Sequence, residues 1–428
     1  MEQEDIVVTI EDFDGTVLEI KNIPIENVQK KPTYLNADLI SELREAINSS
    51  PIFWKDDKYH SFYNQVCAVM DRLGTAVDYV NKHRYYPKSE EKFICFMAFA
   101  CMIVDAPKLL AKKINEFILE ENVFEEHKVI LPYKKDKVLF KNICMNAPFN
   151  MTEQECPTDN EFFEFFRSIT FAHPYNTNKL FKKLGNQVSP WVNLHNRLSF
   201  VGLKGFIGIT MYSDLKDENN NSNHSINVPF NDLKKYIKLR YENLKLITQW
   251  VENEILRNKS IWKAHGVVKG QTHIETLYNI RQSLEDQYQD TYEIDDFIAF
   301  LTCDLTDESN AYNVKKFRDA LIKRINNIFR FTSEANYENL YNETEIIYTR
   351  PKIMHQHAQY QLEKIFCYLN DRCDYGNIIW GRQQAHEFSK QFAKKWVTID
   401  AENMSFEEIK LLVTTACYLE HKEQEADI

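Results

Sequence analysis

Residues 157–174 read PTDNEFFEFFRSITFAHP and combine a clear helix start, an apolar helix and a clear helix end. Thr158, followed three residues later by Glu161, matches a capping-box pattern. Pro174 disfavours helical backbone at the residue before it, so the helix should end at His173. Between these ends, phenylalanine and isoleucine side chains cover nearly the whole circumference, which is typical of a helix buried on most sides.

Arg167 and His173 are the polar side chains in this run that suit chemistry on phosphate. Arginine supplies a fixed cation, and histidine moves a proton near neutral pH. Six helical positions amount to about 600°, so the two side chains would point about 120° apart unless Pro174 releases His173 from helical geometry. A structural reading stays open beside this one: Arg167 pairs with Glu164, and His173 only ends the helix.

The composition predicts a well-packed helical protein. The chain has 428 residues, enough for two or three domains, with 44% hydrophobic residues, 10 glycines and 12 prolines. Few helix breakers over such a length favour long helices. A net charge of -11 argues against a protein that coats nucleic acid, which would be basic. It does not exclude an enzyme that contacts RNA through one local basic patch.

Hydrophobic periodicity divides the chain into three parts. Residues 1–35 predict a β-hairpin and a connector. Residues 36–258 predict a helical domain that contains a small β-hairpin insertion, and residues 259–428 predict a second helical domain. The predicted fold class is therefore mostly α.

Particular elements are expected within these parts. The N-terminal strands should cover residues 5–10 and 16–20, and the inserted strands residues 205–212 and 225–228. Pro107 should kink or break the helix that begins near Ser89. Asn231 should cap one long helix that reaches about Leu256.

Three features favour a cytoplasmic protein. The nine cysteines form no Cys-x-x-Cys pair and read as reduced core thiols. The N-terminus is acidic and has no apolar signal core. The most apolar window, residues 93–110, is interrupted by Asp105 and Lys108, so it predicts a buried helix and not a membrane span.

The other groups of residues that could bind a ligand predict neither a metal site nor a cofactor. The pair His355 and His357 points to different faces of a helix, so a metal would need ligands from elsewhere. The chain contains no glycine-rich phosphate loop with the required spacing.

The Arg167–His173 arrangement resembles the motif of the HEPN family: an arginine, four to six residues, then a histidine, late in a small helical bundle. Five residues intervene here, Pro174 follows, and the resemblance extends over about residues 36–256. HEPN proteins of this kind occur in bacterial toxin and anti-phage defence systems. Family members often carry Asn, Asp or His directly after the arginine, where this chain has Ser168.

The resemblance implies metal-independent RNA cleavage. His173 would act as general base or acid, and Arg167 would hold the scissile phosphate. Candidate substrate-binding residues are Ser168, Asn176, Lys179, Lys182 and Lys183. The family usually builds its site across a dimer, which implies a C2 homodimer.

Two functions from different classes therefore remain. The first is a HEPN-type endoribonuclease that acts as a toxin or defence effector. The alternative is a catalytically silent helical protein that binds or scaffolds a partner. In either case residues 259–428 could bind a protein partner or an inhibitor.

Overall fold

The computed structural model describes residues 8–11, 17–20, 33–120, 128–133, 135–173, 187–195, 205–214, 216, 222–370 and 372–426. The predicted mostly α architecture is confirmed, since helices make up most of these residues.

The helices have the following bounds in chain order: α1 Asp38–Asn48, α2 Ile52–Lys55, α3 Asp57–Lys82, α4 Glu90–Glu120, α5 Lys141–Met145, α6 Asp159–Arg167, α7 Phe230–Tyr241, α8 Leu244–His265, α9 His273–Asp286, α10 Tyr292–Thr302, α11 Ala311–Ser333, α12 Tyr337–Thr344, α13 Gln356–Tyr368, α14 Tyr375–Gln391 and α15 Phe406–Ala426.

The strands form two small antiparallel sheets. β1 (Val8–Glu11) pairs with β2 (Val17–Ile20), which confirms the N-terminal hairpin. β3 (Gln187–His195), β4 (Phe206–Ser213) and β5 (Asn223–Pro229) form a second sheet in the order β3-β4-β5. β4 and β5 confirm the two predicted inserted strands, and β3 is a third strand that was not predicted.

Contacts divide the chain into two compact units. Unit 1 contains residues 1–44 and 65–247, and unit 2 contains residues 45–64 and 248–428. The stretch 45–64 thus packs with the C-terminal part of the chain. The sequence prediction had placed these residues in the preceding domain, with its end near residue 258.

The core of unit 1 is built from aromatic contacts between α4, α6 and α7. The Phe93 and Phe166 rings lie 6.1 Å apart, and the Phe163 and Tyr236 rings lie 4.6 Å apart. Phe140, directly before α5, stacks on Phe162 at 4.7 Å. These contacts hold α6 between its neighbours and fix which of its sides faces out.

Unit 2 has its own apolar core. Buried side chains of α9, α10, α11, α13, α14 and α15 form one continuous cluster. The Thr272 side chain caps α9 by accepting the Glu275 N–H.

Two predicted helix boundaries differ from the structure. α4 continues through Pro107, so the proline does not break this helix. The helix expected from Asn231 to Leu256 is two helices, α7 and α8, separated at Glu242 and Asn243. α7 begins after Pro229 without a side-chain cap.

One helix among the described residues has the length and apolar composition to cross a membrane. It is the stretch Glu90–Ile118 of α4, and 56% of its apolar window is buried inside the protein. A core helix has the same composition when it packs on most sides.

We predict that replacing Asp296 stabilises unit 2 at neutral pH. Burial, with Glu293 and Asp295 nearby, raises the pKa of the Asp296 carboxyl to about 6. The folded state therefore binds this proton more tightly than the unfolded chain does. The free energy of unfolding falls as the pH rises from about 4 to about 6. We expect Asp296→Asn to add about 1–2 kcal/mol at pH 7.5 and nothing near pH 4.

Calorimetry of the full chain at both pH values checks this prediction. The expected gain in the unfolding midpoint is about 2–4 °C for each kcal/mol. The control is Asp319→Asn, at an exposed carboxyl of the same unit. An equal gain for Asp296→Asn at both pH values would contradict the prediction.

Candidate functional site

The start of α6 is fixed by side chains that bind backbone groups. The Thr158 hydroxyl accepts the Glu161 N–H at 3.2 Å, and the Glu161 carboxylate accepts the Thr158 N–H at 2.8 Å. The predicted capping box is therefore confirmed. The buried Asp159 carboxylate accepts the N–H groups of residues 138–140 at 3.1–3.2 Å. The capping bonds satisfy free backbone N–H groups at the start of the helix. The Asp159 bonds attach residues 138–140 to its first turn.

Burial of the α6 phenylalanines determines where Arg167 lies. The buried rings are Phe162, Phe163, Phe165 and Phe166, each no more than 2% exposed. Glu164 and Arg167, three positions apart, share the remaining face of the helix. Arg167 therefore lies at the edge of the core.

The helix ends through a wider turn than the sequence indicates. Residues 168–172 form a π-helical turn, and the His173 N–H donates to the Ser168 carbonyl at 2.7 Å. π-Helical turns are rare and occur frequently at functional sites. The His173 backbone is not helical, with φ -142° and ψ 58°, and the residue is exposed. The helix thus ends at His173 as predicted.

Arg167 belongs to a group of four charges that we call the charge cluster: Asp105, Lys108, Glu164 and Arg167. Arg167 Nη1 lies 3.1 Å from Asp105 Oδ2, and its Nη2 lies 3.0 Å from Glu164 Oε2. Lys108 Nζ lies 3.4 Å from Asp105 and 3.6 Å from Glu164. Two cations alternate with two carboxylates, so the formal charge of the cluster is zero.

The charge cluster keeps Arg167 charged without burying it. Burial lowers the pKa of Arg167, but Glu164 and Asp105 outweigh it, so the pKa is raised above its ordinary value. The Arg167 side chain remains 31% exposed. Beside it, burial raises the pKa of the Cys101 thiol to about 12, so this thiol is neutral at physiological pH.

Arg167 and His173 line the same solvent-open pocket, which we call the Arg167 pocket. Its volume is about 330 Å³, and its other lining residues include Asn160, Glu164 and Ser168. Ser168 is buried, and its carbonyl accepts the His173 N–H. The pocket thus places a guanidinium and an exposed imidazole where a small anion could enter.

The other predicted substrate-binding residues lie outside the described residues. They are Asn176, Lys179, Lys182 and Lys183. Their part in a phosphate-binding patch stays a prediction.

Sequence reasoning missed the place of Asp105 and Lys108 in the charge cluster. Both were noted only as interruptions of an apolar helix. Opposite charges three positions apart in such a helix share one face. That spacing could have indicated a charged group at the edge of the core. It could not have indicated that α6 supplies the partners.

The His355 and His357 pair has a structural explanation. His355 Nδ1 accepts the His357 N–H at 3.1 Å and caps the start of α13. Within the described parts of the chain, no group of three or more His, Cys, Asp or Glu side chains could hold a metal ion.

Comparison with known proteins identifies no relative of this chain. No family model, no curated protein and no solved structure matches this chain. The resemblance to the HEPN family therefore depends on the motif and its helical surroundings.

We predict that the ion pair between Arg167 and Asp105 is weak enough to exchange partners. Because both side chains are a third to a half exposed, we expect a coupling of about 0.5–1 kcal/mol in a double-mutant cycle of Arg167→Met and Asp105→Asn. Urea unfolding of the full-length variants measures this coupling.

The matched control is the pair Arg44 and Asp71, which is also in unit 1 and is 50% and 78% exposed. Its coupling should be closer to zero. A coupling above about 3 kcal/mol for Arg167 and Asp105 would equal that of a buried pair and would contradict an exchangeable arginine.

Proposed function

We propose that this chain is a metal-independent endoribonuclease of the HEPN type in which Arg167 and His173 act on one phosphodiester. The observation that carries the proposal is that both side chains line one solvent-open pocket at the end of α6. In a purely structural pair, neither side chain would need access to such a pocket.

The chemistry needs two proton transfers and one fixed cation. A histidine base takes the proton of the ribose 2′-hydroxyl, whose oxygen attacks phosphorus. The bond to the 5′-oxygen breaks, and that oxygen takes a proton from a histidinium acid. The products are a cyclic phosphate and a 5′-hydroxyl. Arg167 offsets the negative charge that develops on the phosphoryl oxygens.

The ion pairs of Arg167 are compatible with this role. A guanidinium carries five N–H donors. Asp105 contacts only Nη1 of Arg167, and Glu164 contacts only Nη2. A phosphate can use the remaining donors or displace one carboxylate. Lys108 already lies within 3.6 Å of both carboxylates and would keep a displaced one neutralised.

A second copy of the chain would supply the second histidine. The α6 phenylalanines are buried within unit 1, so they are not available to pack against a twin helix. The surface nearest the pocket is instead formed by the partly exposed Phe171 and the exposed Ala172 and His173. We therefore propose that a C2 dimer brings the two copies together at the end of the π-helical turn.

The alternative function is a silent helical protein that binds a partner. The Arg167–Glu164 ion pair favours it, because the structural reading of the motif requires this contact. Under this alternative the pocket performs no chemistry.

We predict that Arg167→Ala and His173→Ala each lower RNA cleavage by at least about 100-fold, because each removes a group needed in the transition state. The assay follows labelled RNA with full-length protein in the presence of a metal chelator, and it identifies the cyclic phosphate and 5′-hydroxyl ends. Growth inhibition on expression provides a second readout.

The controls are Arg44→Ala and His60→Ala, which remove the same side-chain types at exposed positions elsewhere. Both should cleave like wild type. Wild-type activity in the Arg167→Ala and His173→Ala variants, with their thermal unfolding unchanged, would leave the binding protein as the better proposal.

A further inference from the structure

Unit 1 contains a second pocket, which we call the Arg240 pocket. It has a volume of about 720 Å³ and lies between α4, the segment 128–133 and the junction of α7 with α8. Its apolar wall includes Val104, Ala111, Val129 and Leu131. A volume in this range, with an apolar lining and a few polar groups, is typical of small-molecule sites.

The wall is fixed by a side chain of α4. The Asn115 amide donates to the Val129 carbonyl at 3.0 Å, and its oxygen accepts the Val129 N–H at 2.9 Å. These two bonds attach the segment 128–133 to α4. The wall of the pocket is therefore held in place by hydrogen bonds within unit 1.

Arg240 contributes an unusual charge to the pocket. The residue is 4% exposed and is the only arginine of the described chain that is less than 9% exposed. Its Nε donates to Asn160 Oδ1 at 2.9 Å, and its Nη2 donates to the Tyr133 carbonyl at 3.0 Å. The guanidinium also stacks over the Tyr236 ring, 4.5 Å from its centroid.

All of these partners are neutral. No carboxylate of the described residues forms an ion pair with Arg240, whereas Arg167 and Arg257 each have one or more. A guanidinium stays charged in a protein, and burial of an unpaired charge is costly. The Arg240 charge is therefore balanced by dipoles and an aromatic face, and a bound anion would compensate it more fully.

Lys112 adds positive charge to the same pocket. Lys108, which belongs to the neutral charge cluster, and the carboxylate Glu116, which is paired with Lys113 at 2.9 Å, also line it. The Lys112 side chain is 70% exposed and reaches Glu116 only at 3.5 Å. An anion that enters the pocket thus finds cations at its inner end and at its rim.

We infer that the Arg240 pocket binds an organic anion whose carboxylate or phosphate group meets the Arg240 guanidinium while its apolar body packs on Val104, Ala111, Val129 and Leu131. Arginine suits both anions because its planar N–H groups bind two oxygens at once. The inference does not depend on ribonuclease activity, since neither Arg167 nor His173 lines this pocket.

Two probes distinguish the two sources of the anionic group. AMP offers a phosphate on a nucleoside, and octanoate offers a carboxylate on an alkyl chain. Adenosine and 1-octanol are their neutral counterparts. We expect calorimetry with the full chain to detect one of the anions with a dissociation constant below about 1 mM, and a much weaker response to its neutral counterpart.

Two variants test the site. Arg240→Lys keeps the buried charge but loses the planar fork, and we expect the affinity to fall about 10-fold or more. Lys112→Glu reverses a charge at the exposed rim, where folding should be unaffected, and we expect a several-fold loss. The control is Lys92→Glu on the exposed face of the same helix, which does not line the pocket.

The inference is overturned if neither AMP nor octanoate binds up to about 5 mM, a concentration well above the expected constant. It is also overturned if Arg240→Lys and Lys112→Glu, both folded by thermal unfolding, bind the anion like wild type. RNA cleavage by the same variants is scored separately, so loss of this inference leaves the proposed ribonuclease untouched.

Discussion

Burial of four phenylalanines on α6 is the constraint on which the site in unit 1 depends. Each of these rings is nearly inaccessible, and together they pack on the neighbouring helices and on Phe140. Burial of such a ring contributes about 1.5–3 kcal/mol, far more than any exposed ion pair. The apolar contacts therefore set the rotation of α6, and Glu164 and Arg167 take the side that remains.

Arg167 and Arg240, the arginines that line the two pockets of unit 1, balance their charge in opposite ways. Arg167 is part of an alternating cluster with two carboxylates and a lysine, and each member stays at least 31% exposed. Partial hydration lowers the cost of bringing these charges together and also weakens their attraction. Arg240 is nearly buried and relies on carbonyl oxygens and aromatic faces alone. The first arrangement is neutral before any ligand enters, and the second is not.

The sequence predicted the parts of this site that depend on neighbours along the chain. The capping box joins Thr158 to Glu161 and the ion pair joins Arg167 to Glu164, each over three positions. The helix end at His173 was predicted from the next residue, Pro174. Asp105 could not be assigned to Arg167, because 62 residues separate them and only the packing of α4 on α6 brings them together. The buried cation at Arg240 likewise depends on Asn160, 80 positions earlier.

Two local features were missed for a different reason. β3 contains Pro190, and its register with β4 shifts between Val188 and Trp191, so the alternation that signals a strand is interrupted. The separation of α7 from α8 lies at Glu242 and Asn243, where neither glycine nor proline is present. The buried Asn243 lies at this break, and no helix-breaking residue marks it in the sequence.

Asn160 shows how one helix start organises both pockets. It lies in the first turn of α6, directly after the residue that anchors the preceding loop, and it lines the Arg167 pocket and the Arg240 pocket alike. Its oxygen accepts from the Tyr236 hydroxyl at 2.8 Å and from Arg240 Nε at 2.9 Å. Because the capping box holds this turn, the position of the Arg240 guanidinium is coupled to the same backbone that carries Glu164 and Arg167. The first turn of α6 is therefore the structural element that both anion-binding hypotheses share.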